Sequence, residues 1–205
     1  MESCNPIGLK TLLVGDRTVG KYSLMVRYCL GEFRSRRSIT VGVDFMTKEV
    51  EMNQEVVKLQ VWNTMRKEGL ERGVYSWYYP RTRGVVLMYD ITNRDSFDNL
   101  NEWIEHLNTT CKEPISMILC GTKSDLEDSR QVSTEEGKEL ANTLGVTFFE
   151  ISSKDNQNID ELFTAMILLT QDTSGYTSYE GADEASCVSI SLKKDTKEAK
   201  FSKCF

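Results

Sequence analysis

The chain has 205 residues, 40% of them apolar and 27% charged, with a formal net charge of -6. That length suits one well-buried domain and is short for two, and the composition is that of a globular chain. The acidic balance argues against a dedicated nucleic-acid binder, no apolar run reaches the roughly 18 residues of a membrane span, and "MESCNPIGLK" lacks the apolar core of a secretory signal.

The first apolar run, "LKTLLVG" at 9–15, reads as a strand that enters the loop "GDRTVGK". Gly15, Gly20 and Lys21 have the G-x-x-x-x-G-K spacing of a phosphate-binding loop. The alternative is an ordinary glycine turn. Its place between a strand and a helix favours the phosphate reading, because backbone N–H groups converge there and the helix N-terminus adds positive potential. The next residue of the motif is a Ser or Thr that holds magnesium; here it is Tyr22, followed by Ser23.

"FMTKEVEM" and "VVKLQVW" flank "NQE" and read as a hairpin. "GVVLMYDI" and "ISMILCG" are apolar runs of the buried-strand type, and "VTFFEIS" is another. Between them, "DSFDNLNEWIEHLNTT" reads as one helix with Phe97, Leu100, Trp103, Ile104 and Leu107 on one face. Its His106, the single histidine, reads as a helix-surface residue and makes a His-based triad improbable. "STEEGKELANTLG" carries a capping box from Ser133 to Glu136 and a glycine stop at Gly145. "NIDELFTAMILLT" is the last helix. The alternation predicts an α/β fold: a mainly parallel sheet with helices on both faces and a ligand at the carboxyl ends of the strands.

From about Thr173 the chain turns polar, so residues 1–172 are expected to form the domain and 173–205 a flexible tail. Six cysteines, at 4, 29, 111, 120, 187 and 204, form no C-x-x-C pair and read as free thiols of a reducing compartment.

Two further loops follow strands. In "GTKSD" the carboxylate of Asp125 can accept from the N1–H and exocyclic amine of guanine, a donor pair adenine does not offer. The alkyl stem of Lys123 can cover the base while its ammonium stays in water. In "EISSKD" the loop amides can meet the guanine O6.

With these residues the chain resembles a Ras-like small GTPase, and within that group the Rab family. "VGVDF" at 41–45, "KLQVW" at 58–62, "YY" at 78–79 and "LMYDIT" at 87–92 carry the Rab likeness outside the nucleotide motifs, and residues 8 to about 171 are covered. The resemblance implies a P-loop NTPase fold, a Ras-like G domain with a six-stranded sheet and five helices, and a GTP/GDP switch read by traffic effectors. It implies nucleotide contacts from Gly15, Asp16, Arg17, Thr18, Val19, Gly20, Lys21, Tyr22, Ser23, Phe33, Thr40, Thr122, Lys123, Asp125, Leu126, Ser152, Ser153 and Lys154. Thr40 is the expected sensor of magnesium and the γ-phosphate, and Thr122 stands where Asn is usual. Phe45, Trp62 and Tyr78 correspond to an aromatic triad that effectors read.

The departures gather at the hydrolytic centre. Tyr22 replaces the magnesium-binding hydroxyl residue, and Asn63 in "VWNT" replaces an Asp that anchors magnesium through water. Arg17 brings bulk next to the γ-phosphate. In "NTMRKEGLER" the catalytic Gln position falls on Lys67 or, with a shifted gap, on Leu70. Base recognition is therefore expected intact, magnesium weakly held and hydrolysis slow. Two other readings stand beside this one: a non-catalytic scaffold with a GTPase-like fold, and another P-loop enzyme acting on ATP. The resemblance further implies an exchange factor, a GTPase-activating protein, a monomer, and a cytoplasmic protein peripheral on endomembranes. The ending "KCF" is neither a C-a-a-X box nor a double cysteine, which leaves Cys187 and Cys204 as the only candidate lipid sites in the tail.

Overall fold

A computed structural model of the chain describes residues 7–34, 44–52, 55–64, 79–111 and 115–173. In chain order the elements are β1 (Ile7–Gly15), α1 (Lys21–Leu30), β2 (Asp44–Met52), β3 (Glu55–Asn63), β4 (Thr82–Asp90), α2 (Arg94–Asp98), α3 (Leu100–Thr110), β5 (Ser116–Thr122), a 3-10 turn (Glu127–Ser129), α4 (Thr134–Leu144), β6 (Thr147–Ile151) and α5 (Ile159–Thr173).

The six strands form one sheet in the order β2-β3-β1-β4-β5-β6. Only β2 runs antiparallel to its neighbour; the other pairs are parallel. Parallel strands bury both faces, and β5 is buried along its whole length. The period-2 alternation of strand side chains divides the core. Leu12 and Val14 of β1, with Val85 and Leu87 of β4, pack under Leu100, Trp103 and Leu107 of α3 and Ala141 of α4. Leu9 and Leu13, with Val86 and Met88, pack under Leu24 and Met25 of α1 and Leu162, Phe163 and Met166 of α5. Helices thus cover both faces, as the alternation predicts.

Helix α4 begins and ends where the sequence signals lie. The Ser133 hydroxyl accepts from the Glu136 N–H, Glu136 reaches back to the Ser133 N–H, and Gly145 closes the helix at φ 67°.

Three expectations need correction. The segment 95–110 is not one helix: α2 and α3 meet at Asn99, whose φ of -74° and ψ of -7° open the ladder between them. His106 is not a plain surface residue; it is half-buried, its Nε2 lies 3.1 Å from the Tyr79 hydroxyl, and burial lowers its pKa. Strand β6 is only partly buried, because it is the edge of the sheet. Cys29, Cys111 and Cys120 are thiols outside any disulfide, whereas Cys4, Cys187, Cys204 and residues 174–205 lie outside the described residues. No helix among the described residues is long and apolar enough to cross a membrane.

Candidate functional site

The parallel strands deliver their carboxyl ends to one edge, and the loops that follow β1, β5 and β6 meet there. After β1 the chain turns at Gly15, where φ is 145° and a Cβ would sit 2.2 Å from the Met88 carbonyl oxygen, so no other residue fits. Thr18 is left-handed at φ 69°, which costs a β-branched residue about 1 kcal/mol or more. Gly20, at φ 98°, occupies the N-cap of α1 without a side-chain cap, so the first N–H groups of the helix open onto the loop. The Lys21 ammonium lies beneath it and donates to the Gly15 carbonyl at 2.6 Å and the Asp16 carbonyl at 2.7 Å. Burial brings its pKa down to about 8, against the opposing charge of Asp16. Arg17 and Thr18 are exposed at the tip.

Neighbouring elements hold this loop. The Asp16 carboxylate faces α2 and α3: it accepts from the Asn99 side-chain amide and the Trp103 indole N–H, each at 2.7 Å. The Thr122 hydroxyl, at the end of β5, lies 2.7 Å from the Val19 carbonyl and 2.9 Å from the Tyr89 carbonyl. It ties the loop to β4 with a shorter side chain than Asn. The Thr64 hydroxyl donates to the Leu13 carbonyl at 2.7 Å and joins β3 to β1.

The loops after β5 and β6 form one unit. The Ser124 N–H donates to the Ile151 carbonyl at 3.1 Å, and the Ser152 hydroxyl donates to Asp125 Oδ1 at 2.7 Å. The Asp125 side chain is 8% exposed, with Lys154 Nζ at 3.7 Å from Oδ2. Each carboxylate oxygen has two acceptor sites, so both keep capacity for a donor ligand. Lys123 is left-handed at φ 64°, and its ammonium is not simply in water: it pairs with Asp90, which also accepts from the Thr92 N–H and hydroxyl. Leu126, half-exposed, closes the turn through its N–H to the Lys123 carbonyl at 2.9 Å. Trp103 reads from the sequence only as part of an apolar helix face and Asp90 only as part of "LMYDIT"; Arg27 and Asn99 carry no local signal of a role at the site.

Around the first turn of α1, the Tyr22 ring packs on the apolar cluster beneath α1, and Ser23 Oγ donates to the Arg34 carbonyl at 3.1 Å. The Arg34 guanidinium bonds to the Glu32 carboxylate at 2.8 Å and engages the Tyr22 phenol. Asn63 is buried at the end of β3, in register with Leu13 on one side and Asp44 on the other. Phe33 is exposed. Phe45 is exposed and stacked on Trp62 across the β2–β3 pair, with ring centroids 4.6 Å apart and the Lys10 ammonium 4.2 Å from the Trp62 ring on β1's side. Thr40, Lys67, Leu70, Tyr78 and Cys204 lie outside the described residues.

The Ras family model matches residues 10–172. The chain is 42% identical over 158 residues to the Ras-related protein RABA5b of Arabidopsis thaliana, covering 77% of this chain and 72% of the relative. It is 41% identical over 155 residues to the GTP-binding protein ypt2 of Schizosaccharomyces pombe, covering 76% and 77%. It is 41% identical over 158 residues to the Ras-related protein Rab-3C of Mus musculus, covering 77% and 69%.

Proposed function

Because the chain belongs to the Ras family of small GTPases, in its Rab branch, we propose that it is a guanine-nucleotide switch of vesicle-mediated intracellular transport that turns GTP over slowly. The observation that carries the reading is the joining of three loops at one sheet edge. Thr122 binds the phosphate loop, and Ser152 binds Asp125.

In this reading the amides of Gly15 to Ser23 and the Lys21 ammonium hold the phosphates. Asp125 takes the N1–H and exocyclic amine of guanine, and the amides of Ser153 and Lys154 take O6. The Lys123 stem lies over the base and Phe33 beside it, while Thr122 and Leu126 shape the loop. Thr40 senses the γ-phosphate. Phe45, Trp62 and Tyr78 meet traffic effectors, with an exchange factor and a GTPase-activating protein as further partners. The protein acts as a cytoplasmic monomer without nucleic acid. It rests on endomembranes through its tail, aided by a lipid on Cys204. Without a lipid the attraction would be weak: in "KKDTKEAKFSK" five lysines, worth roughly 1 kcal/mol each near an anionic surface, are offset by two acids.

Magnesium goes with the family, and in this reading Thr40 would still hold it while Tyr22 and Asn63 weaken the site. Tyr22 offers a phenol already engaged with Arg34, and its ring is held on the apolar cluster. Asn63 offers a neutral amide where a carboxylate would face the dication. Slow hydrolysis follows from the same residues together with the absence of Gln at Lys67 and Leu70, since phosphoryl transfer depends on positioned water and neutralised charge.

The test is to denature the purified protein and identify the released nucleotide by chromatography. GTP or GDP is expected, and Asp125→Ala should leave the protein without either. ATP, or equal affinity for ATP and GTP, would overturn the guanine reading. Release of nothing by a folded protein that also takes up no GTP would favour the scaffold.

A further inference from the structure

The guanidinium of Arg27 reaches from the last turn of α1 to the loop after β6. Its Nε donates to the Ser153 carbonyl at 2.7 Å and one terminal nitrogen to the Lys154 carbonyl at 2.8 Å. The other terminal nitrogen donates to the Gly31 carbonyl at 2.7 Å, and the Gly31 N–H in turn closes on the Arg27 carbonyl at 2.9 Å. One side chain thus fastens the end of α1 and two successive peptide groups of a distant loop.

A trans peptide is planar, and its C=O and N–H point in opposite directions. Holding the Ser153 carbonyl on Arg27 therefore turns the Lys154 N–H away from α1. The neighbouring planes are fixed in the same way. The Ser152 carbonyl accepts from the Gln157 N–H at 3.0 Å, which turns the Ser153 N–H the opposite way. The Lys154 carbonyl is on Arg27, and the Asp155 N–H donates to Ser152 Oγ at 3.0 Å. Every peptide plane from Ser152 to Asp155 has a partner that sets its direction. Two of the three carbonyls are held by the one guanidinium. A planar fork can serve two carbonyls at once, whereas a lysine offers a point charge.

We propose that Arg27 is a positioning residue for the purine O6: it aims the Ser153–Lys154 peptide at the base without touching it. The inference rests on the guanine reading above. It gives α1 two tasks, since the helix opens on the phosphate loop at Lys21 and ends by setting the base loop. On the guanine reading Asp125 takes the N1–H and exocyclic amine beside O6 on the same edge of the base, and it is joined to the same loop by Ser152.

The experiment measures the affinity of the full chain, and of Arg27→Ala and Arg27→Lys, for three diphosphates. GDP carries O6. Inosine 5′-diphosphate keeps O6 and lacks the exocyclic amine. 6-Thioguanosine 5′-diphosphate keeps both donors for Asp125 and replaces O6 with sulfur, a poor acceptor. Arg27→Ala is expected to weaken GDP and inosine diphosphate about tenfold, the order of one hydrogen bond, and the thio analogue by no more than about twofold. Arg27→Lys should recover part of the loss. Equal weakening of all three, or an unchanged GDP affinity, would overturn the proposal. Should Arg27→Ala fail to fold, Arg27→Lys carries the same comparison, with a smaller O6-dependent loss expected and an O6-independent one contrary. Failure of the guanine reading is distinguishable, because the unmutated protein would then not prefer GDP to ADP.

Discussion

At the scale of single residues, Lys21 carries the sharpest consequence. Its buried ammonium has a pKa of about 8, against an ordinary 10.5. Between those values the folded chain has lost a proton that the unfolded chain keeps, so this group's contribution to stability rises with pH across that window. Ligand binding runs the other way. Phosphate beside the ammonium favours the charged form, so binding above pH 8 must take up a proton. GDP affinity is therefore expected to be flat below about pH 7 and to fall above about pH 8 by up to roughly tenfold per pH unit. Titration calorimetry in two buffers of different ionisation enthalpy measures the proton taken up. Affinity independent of pH from 7 to 9.5 would remove Lys21 from the phosphate contacts. The spacing of Gly15, Gly20 and Lys21 announced this residue. Its depth under the loop, and hence its pKa, came from packing that no spacing encodes.

At the scale of elements, the junction of α2 and α3 at Asn99 lies against the loop after β1. Asn99 and Trp103 lie four residues apart, so they share one side of the helical path. Both donate to the Asp16 carboxylate. These two bonds fasten the loop to α3 and the residue that precedes it. Trp103→Phe keeps most of the buried ring and removes one donor to a charged acceptor, a loss of about 1–3 kcal/mol. The melting temperature should fall by about 2–4 °C for each kcal/mol, and release of a fluorescent GDP analogue should quicken. Thermal denaturation and stopped-flow release check this; a variant that melts and releases as the unmutated protein does would show that the clamp holds nothing. By contrast, α4 was legible in full, because its capping box and glycine stop act within three or four residues of the helix end.

For the whole molecule, the catalytic expectation concerns one transition state. On the proposed reading, Arg17, Tyr22, Asn63 and the residue at Lys67 or Leu70 would all bear on the positioning of water and charge around the γ-phosphate. Their effects should not add. Single-turnover GTP hydrolysis is expected to be slower than in a Rab protein bearing the usual residues, and any single reversion should restore little. Tyr22→Ser with Asn63→Asp should make nucleotide retention sensitive to a magnesium chelator. Hydrolysis at the ordinary rate, lost in Arg17→Ala, would make Arg17 the residue that supplies the missing charge. A chelator that strips the unmodified protein as readily as the double variant would restore an ordinary metal site.

The sequence by itself determined the strands and most helices, the loop glycines, the α4 cap and the family-like order of motifs, because these signals act over a few neighbouring residues or repeat with a fixed period. Tertiary structure decided the strand order, the split at Asn99, the direction of Asp16, the pairing of Lys123 with Asp90 and the grip of Arg27 on the loop after β6. The partners of Asp16 lie 83 and 87 residues away along the chain, and those of Arg27 lie 126 and 127 away. Only the sheet, by bringing the carboxyl ends of its parallel strands to one edge, puts those groups within hydrogen-bonding distance.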